Sequence, residues 1–218
     1  MKIRAPLAAL ALLLLSAPAW GQNPAHLGLN AQLLVAARNG DEATVRRALD
    51  SGAAIDSRNR AGDTALMIFA RKDNLPMVEL LVSRGANVNQ PNLERVMPLM
   101  AAAYNGNLTM LQRLLEAGAD VHKEDQVFKT AAVYAAANGH TAIVAALLDA
   151  GVDVNHVYHN NLTLLMWAAG QGQKKTVEFL LSRGADASLK DARGKTAAQI
   201  AQETKRPDIT ILIGPRSE

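Results

Sequence analysis

Histidine is the residue type in this sequence with the widest chemical use, since its side chain binds metals and exchanges protons near neutral pH. There are five histidines, and two of them, His156 and His159, stand three residues apart in the segment His-Val-Tyr-His. This pair could supply two ligands, whereas a protein zinc site uses three or four. An enzyme with a metal site at His156 and His159 is therefore retained only as the weakest functional hypothesis. His140 begins a predicted helix, which favours a structural role for it.

The remaining patterns that would indicate catalysis are absent from the sequence. It contains no nucleophile elbow G-x-S-x-G, no phosphate-binding G-x-x-x-x-G-K-[ST] and no zinc motif H-E-x-x-H. It also has no cysteine, which excludes disulfides, thiolate zinc sites and thiol catalysis. We therefore predict a protein that is not an enzyme and that needs no cofactor.

The N-terminal residues 1–21 have the pattern of a secretory signal peptide. Lys2 and Arg4 precede an apolar run over residues 7–15, and small residues follow it. The run is shorter than the roughly 20 residues that a membrane-spanning helix needs. We predict cleavage after Ala19 or after Gly21, export to a bacterial periplasm, with secretion as the alternative, and no membrane span in the mature chain.

The charge of the mature chain does not identify a partner. Without the two basic residues of the signal peptide, 21 basic residues stand against 20 acidic ones. No run of basic residues indicates nucleic-acid binding. We therefore predict no nucleic-acid partner.

A short segment of the type Glu-Ala-Gly-Ala-Asp-Val occurs five times at a constant spacing of 33 residues, starting at Asp50, Ser83, Glu116, Asp149 and Ser182. A constant period of this length indicates an array of similar structural units. Each unit contains two segments whose apolar residues have helical spacing, so we predict two short helices followed by a connector.

The ends of these helices are marked by residues suited to them. Threonine can cap the N-terminus of a helix, and glycine takes the left-handed conformation that often follows the last turn. Pro76 lies in the first turn of a second helix, where its missing N–H is harmless. The predicted caps are Thr64, Thr130, Thr163 and Thr196, and the predicted end glycines are Gly40, Gly106, Gly139 and Gly172.

The repeated segments TALMIFA, MPLMAAA, TAAVYAA and TLLMWAA, with the glycine-containing tails, resemble the ankyrin repeat. The resemblance implies an all-α ankyrin-repeat solenoid of stacked helix-turn-helix units with projecting hairpin-like connectors. It covers residues 31–213, as about five full repeats and a shortened C-terminal capping repeat, after a lead-in over residues 22–30 and before a tail over residues 214–218. The family's motif histidine is replaced throughout, and we predict that methionines pack in its place. The replacing residues are Leu34, Met67, Met100, Val133, Met166 and Gln199.

Ankyrin-like arrays generally bind proteins through the tips of the connectors and through the concave face formed by the first helices. The position occupied by Gly62 and Gly194 in two connectors holds Arg95, Phe128 and Asn161 in the others. Arginine and phenylalanine tolerate a left-handed turn poorly, so we predict a different turn shape at those two sites. The candidate contacts at these tips are Leu93, Arg95, Val127, Phe128, Val157, Tyr158 and His159. The alternative is that Phe128 and Tyr158 pack against a neighbouring connector.

On the concave side, one repeat position grows in size along the chain, from Val35 through Ile68 and Ala101 to Tyr134 and Trp167, with Tyr104 nearby. This row is either a groove for a partner or filler between helices. The overall hypothesis is an exported, monomeric, non-enzymatic protein that binds a protein partner through its connector tips and concave face. The alternative is a periplasmic protective factor, acting in oxidative-stress defence or in toxin neutralisation.

Overall fold

The structure, a computed structural model, describes residues 28–214. These residues form six pairs of α-helices and a 3-10 turn at His159–Asn161, with no β-strand among them. The first helices of the pairs are α1 (Leu29–Asn39), α3 (Ala65–Arg71), α5 (Pro98–Asn105), α7 (Ala131–Asn138), α9 (Leu164–Gln171) and α11 (Ala197–Glu203). The second helices are α2 (Glu42–Asp50), α4 (Leu75–Ser83), α6 (Leu108–Glu116), α8 (Thr141–Asp149), α10 (Lys174–Ser182) and α12 (Pro207–Ile213). The predicted all-α solenoid is confirmed, and Leu29 and Asn30, assigned to the lead-in from sequence, belong to α1.

The helices stack in a single row of pairs. Each first helix packs against the second helix of its own pair and against the first helices of the neighbouring pairs. The second helices from α4 onward pack against one another in the same order. Because each pair contacts only its neighbours, the stability of such an array is close to a sum of local terms.

The predicted helix ends are confirmed in detail. The Thr64 side chain accepts a hydrogen bond from the backbone N–H of Met67 at 3.2 Å, and Thr130, Thr163 and Thr196 cap their helices in the same way. The four predicted end glycines all have left-handed backbone angles, with φ between 77° and 82°. Asp73 and Lys205 occupy the same repeat position and adopt φ of 58° and 59°.

The methionines that replace the family's histidine lie in the core. Met67, Met100 and Met166 are at most 2% exposed. This confirms the prediction that packing replaces hydrogen bonding at this position, because a flexible thioether fills irregular space between helices. His140 is the residue before α8, and its Nε2 lies 3.1 Å from the carbonyl oxygen of Tyr104, which confirms its structural role.

The predictions for the chain termini lie outside the described residues. These are the signal peptide over residues 1–21, most of the lead-in and the tail from residue 215 onward. Between residues 28 and 214, no helix is both long enough and apolar enough to cross a membrane.

Candidate functional site

Five connectors project between successive helix pairs, and we call them fingers 1 to 5. They span residues 51–64, 84–97, 117–130, 150–163 and 183–196. Each finger closes at its tip with a backbone hydrogen bond between residues four apart, as from Asn92 N–H to the carbonyl of Val96 at 3.0 Å. The fingers are thus hairpin-like, as the sequence predicted, although no strand is assigned in the described residues.

Four of the five tips are supported by an Asn or Asp side chain. The Oδ1 atom of this residue accepts hydrogen bonds from the backbone N–H groups two and four residues later, at 2.8–3.0 Å. Side chains of this type mimic a backbone turn. These residues were not among the predicted functional residues, although their spacing in multiples of 33 is visible in the sequence: Asn59, Asn92, Asp125 and Asp191.

This support explains why the tips of fingers 2 and 3 keep the common shape. Arg95 and Phe128 adopt φ of 61° and 60°, close to the 79° and 76° of Gly62 and Gly194. The prediction of different turns at Arg95 and Phe128 is therefore wrong. The two N–H groups held by the Asn or Asp side chain fix the backbone, and the residue between them is forced into a left-handed conformation that it would otherwise avoid.

Finger 4 is the one that differs, because Tyr158 stands where the other fingers have Asn or Asp. A tyrosine at this position cannot accept the two turn N–H groups, and the tip forms the 3-10 turn instead. Both Asn160 and Asn161 are left-handed there, with φ of 58° and 56°. The turn that differs is therefore in finger 4, and not in fingers 2 and 3 as predicted.

Tyr158 is a buried residue and not an exposed contact. Its side chain is only 7% exposed, which corrects its assignment as a candidate binding residue. Burial raises the pKa of the Tyr158 hydroxyl to about 12, and the hydrogen bond with Thr130 opposes that rise only in part. The alternative stated for Tyr158, local packing against the preceding repeat, is correct.

Fingers 3 and 4 are joined differently from the other neighbouring fingers. A backbone hydrogen bond joins fingers 1 and 2, from Leu93 N–H to the carbonyl of Ala61, and similar bonds join fingers 2 and 3 and fingers 4 and 5. Within the described residues, fingers 3 and 4 have no such bond. Instead, the Phe128 ring stacks on the His159 ring, with centroids 4.5 Å apart and planes 14° apart.

The two histidines of finger 4 face different aromatic rings. His159 stacks on Phe128, whereas His156 meets Tyr158 edge-on with centroids 4.6 Å apart. Among residues 28–214, no cluster of three or more histidine, aspartate or glutamate side chains is arranged to hold a metal ion. The structure therefore offers no third ligand beside His156 and His159.

Apolar side chains are exposed on three successive fingers. Leu93 and Val127 are each 61% exposed, Phe128 is 44% exposed and Val157 is 49% exposed. We call these four residues the fingertip strip. Exposed apolar groups on consecutive elements are typical of a surface that another protein covers.

The concave side carries an aromatic cluster of Tyr104, Tyr134 and Trp167, which we call the groove. The Tyr104 and Tyr134 rings meet edge-on with centroids 6.0 Å apart, and Tyr104 is 59% exposed. A cavity of about 300 Å³ lies between Tyr104, Tyr134 and the buried side chain of Met100. Of the size-graded row, Ile68 and Ala101 are buried in the stack, with Ala101 lining this cavity, whereas Tyr134 and Trp167 are half-buried.

Polar contacts connect the groove to the fingers. The Tyr134 hydroxyl donates a hydrogen bond to Asp125 of finger 3. The pKa of Tyr134 is raised mainly by burial and, to a smaller extent, by this hydrogen bond. Arg71 of α3 pairs with Asp63 of finger 1 at 3.3 Å and with Glu94 of finger 2 at 3.6 Å. These contacts therefore join Tyr134 of the groove to finger 3, and α3 to fingers 1 and 2.

We expect Arg95→Gly to raise the free energy of unfolding by about 0.5–1 kcal/mol. A left-handed conformation costs a residue with a side chain about 1–2 kcal/mol, and the larger freedom of glycine in the unfolded chain offsets about 0.5–1 kcal/mol of that gain. Urea denaturation measures the change. Lys205→Gly is the matched control, since Lys205 is exposed and has φ of 59° at a helix end. A loss of stability in Arg95→Gly alone would show that the Arg95 side chain stabilises finger 2.

Comparison with known proteins agrees with this architecture. No curated protein matches the chain. The family model described as Ankyrin repeats (3 copies) matches it over residues 33–125, 99–191 and 132–214, so the matches together extend over nearly all of the described residues. The chain belongs to the ankyrin repeat family.

Proposed function

We propose that this protein is an exported, non-enzymatic binding protein that holds a protein partner on its fingertip strip and its groove. Ankyrin repeats generally mediate protein–protein interaction, and this assigns the chain to the broad class of binding proteins. The observation that carries the finer proposal is the exposure of apolar side chains at the tips of three successive fingers.

The backbone of the strip also supports this proposal. Phe128 has a left-handed backbone at a position where fingers 1 and 5 use glycine. Left-handed residues with large side chains are retained where the side chain has a use, because the strain otherwise lowers stability. Phe128 is still 44% exposed after it stacks on His159, so its ring is available to a partner.

We expect the triple variant Leu93→Ser, Val127→Ser and Phe128→Asn to weaken partner binding by about 100-fold, because a few apolar and aromatic residues carry most of the energy of a protein interface. Partners are captured with the chain from Gln22 onward and identified by mass spectrometry, and the affinity of the purified partner is then measured by calorimetry. Asparagine replaces Phe128 because it tolerates the left-handed turn.

The matched control for this experiment is Ile211→Ser. Ile211 is 82% exposed on α12, outside the strip and the groove, so its substitution also removes an exposed apolar side chain. Partner binding should be unchanged in this control. Equal binding by the native chain and the triple variant would contradict the assignment of the fingertip strip.

Export is the second part of the proposal and rests on residues 1–21. The charged start, the apolar run and the small residues have the order that signal peptidase recognises. In a Gram-negative host we expect the periplasmic fraction to contain a protein that begins at Trp20 or Gln22, as determined by mass spectrometry of the intact chain. An uncleaved chain in the cytoplasmic fraction would contradict export.

A further inference from the structure

Lys129 of finger 3 lies over the aromatic side chains of the groove. Its Nζ atom is 4.9 Å from the centre of the Trp167 ring and 5.5 Å from the centre of the Tyr134 ring. The two aromatic rings attract the ammonium group to their faces. A ring face is, however, a much weaker hydrogen-bond acceptor than a carboxylate. In the part of the chain that the structure describes, no carboxylate lies within ion-pair distance of Lys129.

The acidic side chains near the groove are already engaged. Asp125 accepts the two turn N–H groups of finger 3 and the hydroxyl of Tyr134. Glu94 and Asp63 both pair with Arg71. The ammonium group of Lys129 is thus a half-buried cation whose three donors are not matched by a neighbouring acid.

An apolar cavity adjoins the same aromatic cluster. The cavity of about 300 Å³ is lined by Tyr134, by the apolar or aromatic side chains of Val96, Met100, Ala101 and Tyr104, and by the polar residues Arg71 and Asn105. This volume is at the lower end for a ligand pocket, which suits a side chain inserted by a partner. Tyr134 therefore borders both a largely apolar pocket and the unmatched cation of Lys129.

The fingertip strip has a similar combination of groups. Arg95 lies beside the strip in finger 2, is exposed, and forms no ion pair with any residue between positions 28 and 214. Apolar groups bordered by a cation thus occur at both parts of the proposed binding surface. Charges across a protein interface are generally arranged to complement one another.

On the basis of the proposed function, we infer that the partner presents an acidic segment to the groove. A carboxylate of this segment pairs with Lys129, and a neighbouring apolar side chain enters the cavity beside Tyr134 and Tyr104. The aromatic faces of Tyr134 and Trp167 hold the ammonium group in place beforehand, so less freedom is lost on binding.

The inference is tested with a displayed library of random 12-residue peptides, selected on the chain from Gln22 onward, which retains every described helix. In this chain Trp167 is the only tryptophan, so its fluorescence reports binding in the groove. We expect the selected peptides to combine Asp or Glu with an apolar residue. A synthetic version of a selected peptide should lose about tenfold in affinity when its acid is replaced by the matching amide, the size expected for one charge-assisted hydrogen bond.

Variants of Lys129 provide the second measurement. Lys129→Met keeps an apolar stem on the rings and removes the charge, so the acidic peptide should bind about tenfold more weakly, whereas the amide peptide should bind as before. Lys129→Arg keeps the charge and should bind the acidic peptide as the native chain does. Circular dichroism and thermal denaturation confirm that both variants remain folded.

Three results would overturn the inference, and they are distinguishable. The inference is overturned if the selected peptides are not enriched in acids, or if Lys129→Met binds the acidic peptide as tightly as the native chain does. If the fingertip triple variant still loses partner binding, these results overturn the inference but not the proposed function. In that case the proposed function stands with a different partner chemistry. A library that yields no binding peptide, together with partner binding that is indifferent to the triple variant, would overturn both.

Discussion

Asp125→Ala should lower the free energy of unfolding by about 3 kcal/mol. The Asp125 side chain accepts hydrogen bonds from the N–H groups of Val127 and Lys129, at 2.9 Å and 3.0 Å, and from the hydroxyl of Tyr134. A hydrogen bond to a charged group contributes about 1.5–3 kcal/mol, and bonds that share one acceptor are not additive. Asp125 is only 2% exposed, so water cannot replace the lost acceptor in the native geometry. Urea denaturation followed by circular dichroism measures the loss.

The chain supplies its own control for this variant. Asn92 occupies the equivalent position of finger 2 and accepts the corresponding two N–H groups at 3.0 Å and 2.8 Å. Asp125→Asn should therefore keep the turn and cost less than about 1 kcal/mol. A similar loss in Asp125→Ala and Asp125→Asn would show that the charge matters more than the turn that it supports.

This residue also connects stability to the proposed function. Finger 3 carries Val127 and Phe128 of the fingertip strip, and Lys129 extends from it over the groove. Because Asp125 fixes the backbone on which these three side chains stand, its loss should reduce partner binding without removing any side chain that contacts the partner. Asp125 is therefore a positioning residue, and Asp125→Asn should retain binding.

Tyr158→Ala should lower the free energy of unfolding by about 3–4 kcal/mol, the range for removing a large buried aromatic side chain. Its ring is 7% exposed and meets the ring of His156 edge-on at 4.6 Å. Tyr158→Phe keeps the ring and removes only the hydroxyl that bonds with Thr130, so it should cost about 1 kcal/mol. Thermal and urea denaturation of the two variants should separate the contribution of the ring from that of the hydroxyl.

The loss of stability in Tyr158→Ala shows how much the Tyr158 ring contributes to the junction between fingers 3 and 4. Fingers 3 and 4 lack the backbone hydrogen bond of the other neighbouring fingers, so the buried Tyr158 and the stack of Phe128 on His159 are the contacts that fix this junction. A loss below about 1 kcal/mol in Tyr158→Ala would mean that the junction depends on the helices alone. A variant of Tyr158 is also unsuitable as a binding test, since a folding defect would imitate a loss of contact.

The spacing of residues in the sequence determined the fold. Five copies of a glycine-containing segment at 33-residue intervals predicted the number and order of the helix pairs, because each copy lies between two successive pairs. The threonine caps and the end glycines were also identified from sequence, since helix termini are satisfied by local groups whose types are recognisable.

The shape of the fingers depends on hydrogen bonds between an Asn or Asp side chain and the backbone of the tip, and these bonds were not predicted from the sequence. The left-handed preference of a single residue predicted that Arg95 and Phe128 would alter their turns. The Asn or Asp side chain three residues earlier overrode that preference, because two hydrogen bonds to one oxygen outweigh the cost of a left-handed backbone. The same spacing shows that Tyr158 interrupts the series, and there the turn did change.

The sequence by itself determined that this chain is an all-α ankyrin array with apolar residues at its finger tips, because periodic spacing and helix-end residues act locally. Only the tertiary structure decided which of those residues remain exposed. Tyr158 became part of the core, whereas Leu93, Val127 and Tyr104 stayed at the surface. The difference arises because exposure depends on the neighbouring repeat, whose side chains either cover a residue or leave it open, and single residue types do not encode that contact.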